Sequence, residues 1–293
     1  MQAGRAAQNW ERTDTEAVVC CVCSRAGRPI YDLDPFGVVR CPRCSLVFVS
    51  PRLTPDALQR LYDDVGYFEG AGSVYGGSGV NGNGAADSGG SGVSSGGSRF
   101  SPAMALQRRW MAGRLDLAEQ ASGKPATGAR LLEIGSAYGL FLTAARRRGY
   151  DVTGVELSAS AAAHARERSG LTVHSTQLAE APLDGRFDVI CAWDTIEHVP
   201  DPVDFWRAVR RLVADDGVAL FSTPYFSSLP ARVLRERWWT LKPTEHIWHF
   251  TPRTHRTVAE HAGMQIDRFV LNPLARANFG RLDSLVGVAR PAR

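Results

Sequence analysis

Four cysteines, Cys20, Cys23, Cys41 and Cys44, stand as two C-x2-C pairs with 17 residues between them. That spacing lets four thiolates close a tetrahedron around one zinc ion, and a closed tetrahedron leaves no position open for a substrate. The zinc expected here is therefore structural, in a segment with little other core of its own. Cys21 is the spare thiol of the first pair. Cys191 falls inside an apolar run and reads as a small buried hydrophobe.

A second constellation begins at Glu133. The stretch Glu133-Ile-Gly135-Ser-Ala137-Tyr-Gly139 follows an apolar run, and its glycines permit a tight bend with main-chain N–H groups facing outward. Glu156 comes 21 residues after Gly135, where a carboxylate at a strand end can accept both hydroxyls of a ribose. A nicotinamide dinucleotide wants G-x-G-x-x-G, whose glycines let a pyrophosphate approach. Here the spacing is Gly135-x-Ala137-x-Gly139, with Glu133 just before it. A carboxylate repels a pyrophosphate and stabilises an ammonium group. S-adenosylmethionine (SAM) carries an ammonium and no phosphate, and the residues favour it.

Third come two Glu-His pairs, Glu197-His198 and Glu245-His246. Either could take a proton from a hydroxyl or an acidic carbon. The second lies in a segment holding Trp238, Trp239, Trp248 and Phe250, which suits a wall stacking on a sugar or aromatic ring.

The elements that must carry these residues follow from the apolar pattern. Short apolar runs at 130–134, 151–157, 171–174, 187–193 and 218–222 alternate with helical stretches at 140–148, 158–168 and 202–213. Gly149 closes the first helix and Ser158 caps the second. Two further strands are expected at 265–271 and 284–289. Repeated β-α units imply a doubly wound, Rossmann-like α/β sheet with ligands at the carboxyl ends of its strands. Residues 70–98 hold 12 Gly and 7 Ser, too little to bury, and predict a flexible loop.

Composition narrows the partners. Lys and Arg total 34 against 30 Asp and Glu, and the net charge of +4 is too mild to demand a polyanion. Nucleic acid is not the expected partner, and the triple Arg146-Arg147-Arg148 reads as a solvated helix end. The first 16 residues have no apolar core of a secretory signal, and no apolar run approaches the ~20 residues of a membrane span. A cytoplasmic protein is expected, acting on a small molecule and not on a membrane, in an oligomeric state that the sequence leaves open.

LLEIGSAYG, GVELS and FDVICAWDTIEHVPDP, in that order, resemble the first, second and fourth-strand motifs of class I SAM-dependent methyltransferases. The resemblance covers roughly residues 127–290. It implies a seven-stranded sheet whose last strand is antiparallel. It implies also that Glu133, Gly135, Ala137 and Gly139 surround the methionine part of SAM. Glu156 falls on the ribose, Gln177 near the adenine, and Leu157 and Asp194 beside the same cofactor. Ala137 replaces a more usual glycine and Gln177 a more usual acid. The ribbon ending in RCPRCSLVFVSPR and the following LYDDVGYF are similar to a prefix of certain bacterial methyltransferases of glycan and natural-product pathways. Tyr67 and Phe68 of that stretch are candidates for a lid over SAM or for ordinary packing. The domains expected are a tail and zinc ribbon (1–52), a helical lid or linker (53–126) and a methyltransferase core (127–293) with a substrate-facing insert at 224–262.

Glu245-His246 is similar to a dyad in a zinc-bearing group of sugar-nucleotide C-methyltransferases. The likeness implies His246 as base, Glu245 as its orienting partner and His198 as an auxiliary. The long C-terminal domain of that group is missing here, so O-methylation of a sugar, sugar nucleotide or secondary metabolite fits equally. Asp194, Glu197, His198, His246 and His249 could instead share a catalytic metal, as in some metal-dependent relatives. Two rival functions are an RNA methyltransferase, which would show RNA affinity falling steeply with salt, and a non-enzymatic partner protein, which would not bind SAM.

Overall fold

The computed structural model of the protein describes residues 10–63, 102–271 and 282–292. The Gly/Ser tract 70–98 and the pair Tyr67-Phe68 lie outside those residues. The N-terminal part contains β1 (Thr15–Glu16), β2 (Arg28–Leu33), β3 (Phe36–Arg40), β4 (Val47–Val49), β5 (Arg52–Leu53) and α1 (Pro55–Asp63). Strands β2, β3 and β4 form an antiparallel meander, and β1 pairs with β5.

The larger part runs through α2 (Pro102–Ser122), β6 (Arg130–Ile134), α3 (Leu140–Arg148), β7 (Asp151–Val155), α4 (Ala159–Ser169), β8 (Thr172–His174), β9 (Phe187–Trp193), α5 (Pro202–Leu212) and β10 (Val213–Pro224). It continues with α6 (Leu229–Leu234), β11 (Trp248–His249), α7 (Pro252–Glu260), β12 (Met264–Val270) and β13 (Ser284–Pro291). Seven strands build one sheet in the order β12-β13-β10-β9-β6-β7-β8, and β13 is antiparallel to both its neighbours. The expected α/β sheet with a reversed last strand is present. The chain winds outward from β6 through β7 to β8, then returns to place β9 on the other side of β6. That reversal opens a crevice at the tip of β6.

Local chemistry sets the helix ends. The Asp201 carboxylate accepts from the N–H groups of Val203 and Asp204, with Pro202 opening α5. Ser158 Oγ accepts from Ala161 N–H at the start of α4. The expected strand 218–222 is longer than its apolar run, starting at Val213 and shifting register before Val218.

Strand residues divide by parity between two apolar clusters, one on each face of the sheet. Leu131, Val189, Cys191, Trp193, Val218 and Leu220 join α2, α3 and α4, and Cys191 is the buried hydrophobe expected. Leu132, Ile190, Ala192, Ala219 and Phe221 join α5 and α7. The second cluster also takes in Cys20, Cys41, Leu46 and Phe48, so the N-terminal meander shares the core of the large sheet.

Among the described residues no helix is long and apolar enough to cross a membrane. Trp206 anchors the second cluster, 1% exposed and edge-on to Phe221 at 5.2 Å. Truncating Trp206→Ala is expected to cost about 3–5 kcal/mol, read as a lower urea midpoint with an unchanged slope.

Candidate active site

The crevice at the tip of β6 is shaped by three residues with positive φ. Gly135 (φ 74°) donates its N–H to the Val155 carbonyl at 2.8 Å, and a Cβ there would sit 2.6 Å from Thr195 Oγ1. Gly139 (φ 73°) begins α3, and a Cβ there would meet Leu171 at 2.4 Å. Ala137 (φ 45°) adopts the left-handed region although it has a Cβ. Its N–H donates to Glu156 Oε2 at 2.7 Å, and Ser158 N–H donates to Oε1 at 2.8 Å. Glu156 therefore buttresses the bend and keeps lone pairs for a ligand's hydroxyls. Burial pushes its carboxyl up in pKa, against the pull of these N–H groups.

Glu133 is 2% exposed, and its Oε2 accepts no hydrogen bond. Burial drives its pKa well above the usual range; the Arg114 guanidinium opposes that and the Glu156 charge adds to it. Arg114, on α2, has no exposed surface and lies between Trp110 (3.4 Å to the ring centroid) and Trp193 (4.0 Å). Its Nη2 donates to Ser222 Oγ at 3.0 Å, and Ser222 Oγ donates to Asp194 Oδ1 at 2.9 Å. A buried guanidinium and a buried carboxyl group thus lie close enough to interact. Arg114 is a residue that motif reading overlooks. Its signal was positional: it occupies the apolar stripe of α2, four residues after Trp110 and before Ala118 and Ala121.

The remaining cofactor candidates lie around the rim. Leu157 is 51% exposed directly after Glu156. Gln177 is exposed in the turn after β8, its carbonyl accepting from Glu180 N–H. Asp194 (φ 51°) terminates β9.

A second group gathers below the tip of β9. The turn Thr195–His198 brings Glu197 (1% exposed) and His198 against His246, and one donor atom from each lies within 4.8 Å of the others. The His198 and His246 rings meet edge-to-face at 4.7 Å. His246 Nδ1 lies 2.7 Å from the Thr240 carbonyl. A carbonyl can only accept, so Nδ1 carries the hydrogen and Nε2 keeps its lone pair in the neutral ring. Burial, and then His198, hold the His246 pKa well below its ordinary value. Burial also lowers that of His198, against the charge of Glu245.

The group holding Nδ1 is thus the Thr240 carbonyl, whereas Glu245 pairs with Lys242 at 3.5 Å. The carboxylate in the cluster is Glu197. His249 stands apart from the cluster, beside Phe226 (5.5 Å) and Trp238 (6.3 Å), with neither ring nitrogen hydrogen-bonded.

In the meander, the Sγ atoms of Cys20, Cys23, Cys41 and Cys44 all lie within 4.8 Å of one another, Cys20 and Cys44 at 3.5 Å. Two turns of the same build present them. Ser24 (φ 51°) donates its N–H to the Cys20 carbonyl, and Ser45 (φ 66°) donates to the Cys41 carbonyl. Four thiolates about 2.3 Å from a central zinc would be roughly 3.8 Å apart, so the donor set fits. Cys21 stays outside it.

The profile of a family described as "Methyltransferase domain" matches residues 104–268. A Roseobacter denitrificans protein named ubiquinone biosynthesis O-methyltransferase is 33% identical over 183 residues, 56% of this chain and 72% of the relative. Its namesake from Ruegeria pomeroyi is 31% identical over 185 residues, 57% and 73% of the two chains. Among solved structures, the Synechocystis magnesium protoporphyrin IX methyltransferase aligns with a TM-score of 0.50 at 15% identity, covering 68% of this chain and 90% of its own. The CcbJ methyltransferase of Streptomyces caelestis gives 0.50 at 17%, covering 64% and 96%. At such identities these two share the fold.

Burial holds His249 and His255 each at a pKa of about 3. Unfolded histidine binds its proton near pH ~6.5, so stability is complete above that value and falls as pH drops, because only the unfolded chain takes up protons. The unfolding free energy in urea should fall between pH 7 and 5 by up to about 1.4 kcal/mol per pH unit for each such histidine. His255→Gln should remove one proton's share of that slope, and a flat profile would contradict the burial.

Proposed function

The chain belongs to the Methyltransferase domain family and is a SAM-dependent methyltransferase; from that premise we propose that it methylates a hydroxyl on the ring of a small metabolite, with His246 as general base. The observation carrying the cofactor assignment is Glu133. A buried carboxylate with an unpartnered Oε2, within electrostatic reach of a buried guanidinium and beside the Gly135–Gly139 bend, is complementary in charge to a zwitterionic amino acid. Glu133 accepts from the ammonium of SAM and Arg114 meets its carboxylate. Gly135, Ala137 and Gly139 leave room beside the bend, Glu156 accepts from the ribose hydroxyls, Leu157 and Gln177 border the adenine, and Asp194 steadies Arg114 through Ser222. Bound there, SAM supplies a methyl group on a sulfonium for in-line displacement by the acceptor oxygen.

His246 Nε2 takes the acceptor's proton, and the Thr240 carbonyl fixes the tautomer that allows it. Burial keeps the ring in its neutral form, so Nε2 retains the lone pair that accepts the proton. His198 packs across the same ring, and Glu197 stabilises the imidazolium that forms. Glu245, on Lys242 and beside His198, assists by position. The aromatic wall expected of Trp238, Trp248 and Phe250 is not open to an acceptor, because these rings pack into the core at 2%, 3% and 0% exposure; Trp239, at 56%, is the exposed ring of that segment. The names of the Roseobacter and Ruegeria relatives support transfer to oxygen over carbon. Sugars, sugar nucleotides and secondary metabolites remain within this acceptor class. Cys20, Cys23, Cys41 and Cys44 hold a structural zinc.

A second reading rests on the three-residue cluster. Glu197, His198 and His246 also form the donor set of a divalent-cation site. Chelation that abolishes turnover, reversed by Mg2+ while the thiolate zinc is still bound, would favour it over the free base.

Glu133→Gln should weaken SAM binding by about tenfold or more in calorimetry, since it removes the charge from one end of the zwitterion. With labelled SAM and a panel of catechol and sugar acceptors, His246→Ala should lower kcat by about 100-fold or more at unchanged affinity for S-adenosylhomocysteine. Undiminished turnover by His246→Ala would reject the base. Metal analysis should find about one zinc per chain.

A further inference from the structure

β11 completes the sheet of the cysteine meander. It pairs antiparallel with β4, Trp248 opposite Phe48 and His249 opposite Val47, in a four-stranded sheet ordered β11-β4-β3-β2. Val49 N–H donates to the Ile247 carbonyl at 2.9 Å. The segment carrying His246 is thus hydrogen-bonded to a strand that starts three residues after Cys44.

The same segment is tied to the turn after β9. The N–H groups of Ile247 and Trp248 both donate to the Glu197 carbonyl, at 2.9 and 3.2 Å. Trp248 Nε1 donates to the Val199 carbonyl at 2.8 Å, and its ring packs on Phe48 at 5.6 Å. Arg52, held by Glu16, reaches the Pro200 carbonyl at 3.0 Å. Trp248 therefore joins three pieces: the thiolate meander, the turn bearing Glu197 and His198, and the insert bearing His246. A two-residue strand has too few bonds to hold its own geometry, so β11 depends on β4. β4 depends in turn on the knuckles, since the Cys41 N–H donates to the carbonyl of Leu46, which enters the strand. Most bonds that shape the cofactor bend run within residues 134–158, joined by those from Thr195 Oγ1 to the Ile134 carbonyl at 3.2 Å and from Glu156 N–H to the His174 carbonyl at 3.0 Å, and none of these comes from the thiolate meander.

We infer that the thiolate ribbon is the positioning element of the Glu197-His198-His246 cluster: metal bound by Cys20, Cys23, Cys41 and Cys44 fixes that cluster through β4, β11 and Trp248, and leaves the affinity for the cofactor independent. This rests on the reading of the cluster as the acceptor site, but its test does not use turnover. Apo ribbons lose their fold with their metal. β4 then no longer templates β11, and His246 and His249 lose their register while the bend from Gly135 to Gly139 keeps its own bonds.

The full chain would be stripped of zinc with a chelator and metal loss followed by mass spectrometry. Three quantities are then compared with the holo-protein: amide hydrogen exchange of residues 246–250, carbethoxylation of His246 by diethyl pyrocarbonate, and affinity for S-adenosylhomocysteine. Zinc loss is expected to speed exchange and His246 modification by about tenfold or more, with affinity held within about twofold. Unchanged exchange at 246–250 after zinc loss overturns the proposal, as does affinity that falls in step with the zinc. Trp248→Phe gives the second arm, because it keeps an aromatic ring against Phe48 and the thiolates but loses the indole N–H bond to Val199. It should retain about one zinc per chain and cofactor affinity, yet modify about tenfold faster at His246. A wild-type modification rate in this variant overturns the role of Trp248. If His246→Ala kept full turnover, the base assignment would fall while this coupling stood.

Discussion

A carboxylate kept out of water without a partner on one oxygen is expensive, and Glu133 is in that position. Its surroundings are arranged around the charge. Arg114 is buried between two indoles beside it, Ser222 and Asp194 hold the far side of that guanidinium, and Glu156 is fastened to the bend by main-chain N–H groups. In the proposed site, one buried ion of each sign would have its desolvation cost offset by a zwitterionic ligand. The folded sheet supplies the geometry, because winding out to β8 and back to β9 puts the switch in strand order at the tip of β6.

The second site answers to a different constraint. The base proposed is His246, and its tautomer is set by one carbonyl, that of Thr240. Neither Glu245 nor Glu197 is needed to decide which ring nitrogen is protonated. Glu197 instead contributes twice, placing its carboxylate in the cluster and its main-chain carbonyl under the N–H groups of Ile247 and Trp248. The proposed cofactor and acceptor sites are thus built from different parts of the chain and meet at the end of β9.

Much of this was legible in the residues. Apolar runs of five to seven residues locate β6, β7 and β9 to within two residues, since burial on both faces of a parallel strand leaves a continuous hydrophobic signature. The cysteine spacing anticipated the clustering of four sulfurs. Arg114 escaped notice because its meaning lies in helical phase, not in a motif. Glu245 looked like the partner of His246 because adjacency in sequence is visible, whereas the Thr240 carbonyl is a backbone group that no side-chain pattern announces. β11 escaped too. Two residues carry no periodicity, and the strand exists only because an edge from another part of the chain is waiting for it.

That waiting edge bears on how the molecule is made. Phe48 and Trp248 are about 200 residues apart, so the meander leaves the ribosome long before its fourth strand does, with the β4 edge uncovered meanwhile. For that interval the exposed backbone of β4 can pair with any extended chain nearby. Early metal capture would stiffen the meander without closing it. Maturation of this protein is therefore decided late in synthesis, when the C-terminal third delivers the strand that seals the beginning.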